Sequence, residues 1–213
     1  MNARRRLTAV SILLTLVIGL MLGGAWGASP SDAPLIRLQY ATFDPLAGEP
    51  DIPSGQRLRI QADRPATYIV QFAGPVREEW KSAVEQAGAY LYGYIPDYAF
   101  LARMTLAAAE QVRALSFVRW VGPYHPAYRL SSELRVASGE EREAIEGSEA
   151  ITVTVQTLPD IALDALSTEI EGLGGKILGQ AANPIAGYVR VVISPERLEA
   201  LAALDEVLWV EPY

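Results

Sequence analysis

Residue types that perform catalysis are sparse in this sequence. His125 is the only histidine, and cysteine is absent. A serine protease needs a serine, a histidine and an aspartate in recognisable contexts, yet the sequence contains no D-[ST]-G, H-G-T-H or G-T-S run. No nucleophile in a matching context lies near His125, so we interpret it as a surface turn residue and not as a general base. The sequence therefore predicts a protein that is not an enzyme.

The sequence also offers little for a metal or a cofactor. A single histidine and no cysteine leave too few imidazole and thiolate ligands for a metal site. Gly174 and Gly175 follow a helical pattern and not a strand, so they indicate a helix stop and not a phosphate-binding loop. Two carboxylate pairs are predicted to be solvated: Glu140 with Glu141, and Glu169 with Glu171. We predict no metal and no cofactor.

The first 27 residues have the features of a secretory signal peptide. Three arginines at positions 4–6 precede an apolar run over 7–26, and small residues precede a cleavage position after Gly27. A retained membrane anchor is the alternative, because the run is nearly long enough to span a bilayer. We therefore predict a secreted, extracellular protein that meets a membrane only through an uncleaved signal segment.

Removal of the signal segment changes the formal net charge from −7 to −10. Nucleic-acid binding requires a basic surface that displaces counterions, so the acidic mature chain argues against a nucleic-acid partner. Disulfides and a lipoprotein anchor are both excluded because there is no cysteine. An exported protein of this kind must be stabilised by its hydrophobic cores.

One segment of the sequence occurs twice. Residues 105–124 read TLAAAEQVRALSFVRWVGPY and residues 194–213 read SPERLEALAALDEVLWVEPY. Identical residues recur at a constant offset of 89, so that Tyr124, for example, recurs as Tyr213. The sequence therefore predicts one module present in two copies.

The first copy predicts the element order β-α-β-β-α-β. Its elements are a strand at 67–72, a helix at 77–87, strands at 90–95 and 98–103, a helix from Thr105, and a strand at 118–121. The sequence TYIVQF alternates with the period of a strand, and Gly88 stands where a helix C-cap favours glycine. Thr105 is an N-cap residue for the second helix.

The second copy predicts the same order. Its elements are a strand at 151–156, a helix at 163–173, strands at 176–179 and 188–193, a helix opening at Ser194, and a strand at 207–210. Ser194 and Pro195 form an N-cap and N1 pair, and Asn183 with Pro184 marks a turn. Three tryptophans fall at positions that suit a core: Trp80, Trp120 and Trp209.

These patterns predict an α+β fold with two tandem ferredoxin-like sandwiches, each a four-stranded antiparallel sheet with both helices on one face. The predicted segments are a signal peptide at 1–27, an extended lead-in at 28–66, a first module at 67–128, a linker at 129–149 and a second module at 150–213. The other face of the second sheet is predicted to dock a protein. Its residues are Thr152, Thr154, Gln156, Tyr188, Arg190 and Val192. A sheet that packs on its sister module or meets water is the alternative.

The sequence resembles the N-terminal propeptide, of the inhibitor I9 type, of subtilisin-like serine proteases. The resemblance rests on YIVQF at 68–72, on the passage VRALSFVRWV at 112–121, and on the strand end V-x-W-V-x-P-Y, which occurs in both copies. It covers about residues 67–128 and, more weakly, 150–213. It departs from the family pattern because the module is doubled and residues 1–213 contain none of the protease motifs.

The resemblance implies a folding chaperone and inhibitor whose partner is a subtilisin-like serine protease, in cis or in trans. The open sheet face would dock on the enzyme, and a tail formed by Glu211, Pro212 and Tyr213 would enter the active cleft. An extended tail loses little entropy on entering a cleft that recognises extended substrates. We expect the sequence to be the front part of a protease precursor.

Two other functions remain open at this level. Paired modules of the ACT type use the same strand order and bind small molecules at their interface, although a Gly-rich ligand turn is missing after either first strand. A structural spacer module of a cell-surface protein would have no affinity for a protease.

Overall fold

The computed structural model describes residues 33–135 and 150–213. The predicted signal peptide therefore lies outside the described residues. Both modules belong to one compact unit, 34–213. The fold is α+β with two tandem ferredoxin-like sandwiches, each with a four-stranded antiparallel sheet, as the sequence predicts. In the described ranges, no helix combines the length and apolar character needed to cross a membrane.

The lead-in folds across the first module. It contains two short strands that pair with each other, β1 (Ile36–Arg37) and β2 (Thr42–Phe43). Ile36 and Ile52 are buried in a cluster with residues of the first sheet. The segment that was expected to be extended therefore contributes its own apolar side chains to the fold, because the burial of an isoleucine side chain is favourable.

The first module contains β3 (Ala66–Phe72), α1 (Glu78–Gln86), β4 (Tyr90–Ile95), β5 (Ala99–Met104), α2 (Leu106–Arg113) and β6 (Val118–Pro123). Its sheet has the order β4-β5-β3-β6. Alternation along β3 directs Tyr68, Val70 and Phe72 into the core beneath the helices, whereas Ile69 packs on the opposite face with the lead-in. Trp80 stacks on Phe72 at the edge of this core, with ring centroids 6.0 Å apart.

Local signals of the first module act as predicted. Gly88 has a φ of +92°, which a residue with a side chain rarely adopts, and it ends α1. The Thr105 hydroxyl accepts a hydrogen bond from the Ala108 amide at 3.3 Å and so caps α2. The β4-β5 turn places Asp97 at a φ of 64°, and its carboxylate accepts a hydrogen bond from the Leu35 amide of the lead-in at 3.2 Å.

The second module follows a short helical turn, α3 (Ser132–Arg135). It contains β7 (Ile151–Thr157), α4 (Leu163–Gly172), β8 (Lys176–Ala182), β9 (Gly187–Ile193), α5 (Leu198–Ala202) and β10 (Val207–Pro212). The sheet order is β10-β7-β9-β8. Ser194 and Pro195 occupy the N-cap and N1 positions as predicted, but they open a 3-10 turn, Pro195–Arg197, that precedes α5, and the Ser194 side chain makes no capping hydrogen bond.

Arg129, the first residue of the predicted linker, joins the two modules. Its side chain is fully buried, and the guanidinium donates to the carbonyl oxygens of Leu204 at 2.8 Å, Ala202 at 3.1 Å and Tyr124 at 3.2 Å. Burial lowers the pKa of Arg129 to about 10, so the side chain stays protonated at neutral pH. The following residue, Leu130, pairs with Val210 beside β10. The modules are therefore packed together.

Candidate docking face

The structure brings the six predicted docking residues together on one face of the second sheet. They form three directly opposite pairs between β7 and β9: Thr152 with Val192, Thr154 with Arg190, and Gln156 with Tyr188. The residues that alternate with them, such as Val153 and Val191, are buried beneath the helices. Because side chains alternate between the faces of a strand, the six share the face opposite the helices.

The last strand, β10, adds two residues to this face beyond the six predicted ones. In β10, Trp209 pairs with Gln156 and Glu211 pairs with Thr154. The Trp209 indole nitrogen donates to the Glu211 carboxylate at 3.2 Å. Trp209 was wrongly predicted as a core residue. An irregularity between Val207 and Trp209 directs Val207 and Val210 into the core and leaves the half-buried tryptophan on the open side.

The predicted tail belongs to the same surface. Glu211 and Pro212 are the end of β10, and the Tyr213 amide donates to the Thr152 carbonyl at 3.0 Å. The Tyr213 side chain is 69% exposed, and the Arg190 guanidinium lies 3.5 Å from the centroid of its ring. In this structure the three tail residues therefore continue the sheet and do not project away from it.

The open face combines aromatic, cationic and short polar side chains. Arg190 is exposed on the central strand β9, and Tyr188, Trp209 and Tyr213 lie on the same surface. Tyr, Trp and Arg are the residue types enriched at the energetic centres of protein interfaces. No hydrophobic cluster lies on this face within the described residues. The arrangement can bind another protein surface through stacking and charge-assisted hydrogen bonds.

In the first module, the lead-in covers the equivalent face of the sheet. The Tyr124 amide donates to the Thr67 carbonyl at 2.9 Å, as Tyr213 does to Thr152. Tyr124, however, is buried together with Ile69 beneath the lead-in, and the lead-in residue Phe43 meets the edge of Trp120 with ring centroids 6.3 Å apart. The two copies thus share a fold and differ in what occupies the face opposite the helices.

His125 lies away from the candidate docking face and was wrongly predicted at the surface. It is 3% exposed, and its Nδ1 accepts a hydrogen bond from the Leu58 amide at 2.9 Å. Ala127 and Tyr128 of the neighbouring HPAY run are also buried, and no local pattern in the sequence indicates this burial. The histidine fixes the lead-in to the segment that follows β6.

Carboxylates of the second module take part in two pKa shifts. The pKa of Tyr92 is raised to about 12, mainly by burial and secondly by the negative charge of Asp160. Burial, with the charges of Glu206 and Asp205, raises the pKa of Glu169. Within 33–135 and 150–213, no group of three or more His, Asp or Glu side chains is arranged to hold a metal. The pair Glu140 and Glu141 lies outside the described residues.

The first part of the chain is similar to a family whose function is unknown. A family model described as a domain of unknown function, DUF8729, matches residues 37–125. The match spans the lead-in from β1 and the first module through His125, and it leaves out the second module. No curated protein matches the chain.

Proposed function

We propose that this protein is a secreted, non-catalytic binding protein of the subtilase-propeptide kind. The open face of the second module docks on a subtilisin-like serine protease, and the protein acts as its folding chaperone and inhibitor. The observation that supports this proposal is the open sheet face with Arg190 at its centre and the end of β10 beside it. The resemblance of both copies to inhibitor I9 propeptides selects the class of partner.

The position of the tail agrees with a single binding event. Glu211 and Tyr213 lie beside β7 and β9 and not at a distant point of the module. A partner that covers Arg190 therefore also meets the tail. Since β10 already holds these residues extended, their entry into a substrate cleft would cost little conformational entropy, although Tyr213 must first leave Thr152 and Arg190.

The first test is inhibition of a panel of subtilases by the protein. We expect slow, tight inhibition of at least one enzyme, together with faster refolding of that enzyme from denaturant. Absence of inhibition across the panel, combined with absence of refolding rescue, would overturn the proposal.

A matched pair of charge reversals locates the interface. Arg190→Glu changes the centre of the open face and should weaken inhibition by about 30-fold, the effect of losing a hot-spot residue. Arg197→Glu makes the same change at an exposed position between β9 and α5, on the helix side of the module, and should leave inhibition within about threefold of the parent. Equal losses in both variants would mean that the open face is not the docking surface.

A further inference from the structure

The lead-in forms a strap over the first module's sheet. We define the strap as residues 34–58. Its apolar contacts come from Ile36 and Ile52, which are buried against the sheet, and from Phe43 against Trp120. The strap covers a face that in the second module is open, so its detachment would expose apolar surface that includes Ile69.

The polar contacts that anchor the strap include three with titratable side chains. The Arg37 guanidinium pairs with the Asp97 carboxylate at 2.8 Å near one end, and Asp44 pairs with Arg119 at 2.7 Å near the middle. At the other end the anchor is His125, which accepts a hydrogen bond from the Leu58 amide. Of these anchors, only the imidazole has an ordinary pKa close to neutrality.

The geometry of His125 requires a neutral ring. Its Nδ1 accepts the proton of the Leu58 amide at 2.9 Å, so the proton of the ring is on Nε2. Nε2 lies 3.5 Å from the Glu49 carboxylate and makes no hydrogen bond. Protonation would add a hydrogen to Nδ1 that points at the Leu58 N–H, and two donors would face each other inside the protein.

The charged groups around His125 come from both elements packed against it. The strap supplies Glu49 and Arg57, and the 3-10 turn after β6 supplies Arg129. Tyr128 adds an aromatic ring whose centroid is 5.3 Å from that of the imidazole. The two arginines disfavour a cationic imidazole, and the Glu49 carboxylate favours it.

We propose that protonation of His125 releases the strap and exposes the covered face of the first module. The proposal is independent of docking by the second module, because it concerns a different face. The electrostatic balance supports it: burial is the largest influence and lowers the pKa of His125 below 6.5, whereas Glu49 opposes this effect. The contribution of His125 to strap binding is therefore complete above pH 6.5 and is lost as the pH falls below that value.

The pH window separates the effect of His125 from that of the Asp44 anchor. The hydrogen bond from Arg119 is the largest of the influences that lower the pKa of Asp44 below 3.8. Asp44 therefore remains ionised throughout the range from pH 7.5 to 5, and its anchor weakens only in stronger acid. Strap release between pH 7.5 and 5 would therefore not be caused by the titration of Asp44.

The test is hydrogen exchange of the protein at pH 7.5 and pH 5.0, expressed as protection factors. If only the neutral imidazole binds the strap, strap opening should become about 30-fold more frequent at pH 5.0, the change expected for a group of pKa near 6.5 that is free to protonate when open. Amides of β7 and β9 should keep their protection. Loss of protection in those strands to the same extent as in the strap, or unchanged strap protection, would overturn the proposal.

Two variants distinguish the imidazole from the other anchors. His125→Gln retains a side-chain acceptor that does not titrate, so its strap protection should be the same at both pH values. Asp44→Asn weakens the strap through another anchor and should retain the pH dependence of the parent. A pH dependence that persists in His125→Gln would overturn the proposal, and the comparison of strap and β7 protection in the parent decides the question if that variant does not fold.

Discussion

The Arg190 guanidinium lies 3.5 Å from the ring centroid of Tyr213, so a residue of the predicted docking face holds a residue of the predicted tail. The Tyr213 backbone is held at the same time, because its amide donates to Thr152. A partner that engages Arg190 must therefore contact Tyr213 or displace it.

A double-mutant cycle measures this contact. We expect a coupling of about 0.5–1 kcal/mol between Arg190→Ala and Tyr213→Ala in the free energy of unfolding, the usual magnitude for an exposed cation–π pair. Urea denaturation of the parent, the two single variants and the double variant gives the value. The matched cycle with Arg197→Ala in place of Arg190→Ala should give a coupling near zero. Equal couplings in the two cycles would contradict a specific contact.

Thr105 and Ser194 test how a repeated position can differ in local structure. They are related by the offset of 89, but only the Thr105 hydroxyl accepts a hydrogen bond from its helix. Thr105→Ala should therefore destabilise the protein by about 1 kcal/mol, whereas Ser194→Ala should change stability by less than about 0.5 kcal/mol. Denaturation midpoints of the two variants provide the comparison, and a larger loss for Ser194→Ala would contradict the observed cap.

Gly122 explains how Trp120 reaches the covered face of the first module. A Cβ added at Gly122 would lie 2.0 Å from the Trp120 ring, so the ring occupies the space over this glycine. Glu211 stands at the equivalent position of the second copy, and there Trp209 hydrogen-bonds to it. The two copies therefore differ at this position: Gly122 leaves room for the Trp120 ring under the strap, whereas Glu211 binds Trp209 on the open face.

Gly122→Ala should destabilise the protein by about 1–3 kcal/mol, because the added methyl group forces the Trp120 ring out of its packed position. Urea denaturation, with tryptophan emission followed at the same time, detects both effects. Gly179→Ala in β8 is the matched control, since a Cβ there would meet no atom within 4 Å. The control should lie within about 0.5 kcal/mol of the parent or be slightly more stable. A harmless Gly122→Ala would show that the ring moves without cost.

The fold could be predicted because alternation and repetition each constrain it. The strand pattern of TYIVQF and the offset of 89 specify the element order, and the faces of β3 follow from a period of two. The six docking residues share a face for the same reason. Those signals are local in sequence, so they require no knowledge of distant contacts.

The remaining features depend on contacts between distant segments. The strap shows no periodic pattern in the sequence. Its buried residues, such as Ile36 and Ile52, are isolated along the strap and pack on a sheet whose strands lie further along the chain. His125 is buried by the strap, so its environment could not be read from its neighbours alone. Trp209 was misassigned because the irregularity in β10 changes which residues face the core. A tertiary contact or a strand irregularity decides each of these cases.

Arg129 should be the most sensitive position of the junction between the modules. Its guanidinium serves three backbone carbonyls, two of which, those of Ala202 and Leu204, lie at the end of α5 and just beyond it. Arg129→Met retains much of the apolar stem but leaves buried carbonyl oxygens without a donor, which costs about 1–3 kcal/mol for each unsatisfied group. Water can reach part of the vacated space, so we expect a total loss of about 2–4 kcal/mol.

The loss should also separate the modules, because the same side chain joins Tyr124 of the first to the end of α5 in the second. Hydrogen exchange should show faster opening of β10 and α5 in Arg129→Met, while β3 and β5 keep their protection. Arg197→Met removes an exposed guanidinium and should change stability by no more than about 0.5 kcal/mol. If both methionine variants are equally stable, Arg129 does not hold the modules together, and the junction must depend on other contacts, such as those of Leu130 with the second core and of the Tyr124 hydroxyl with the Leu208 carbonyl.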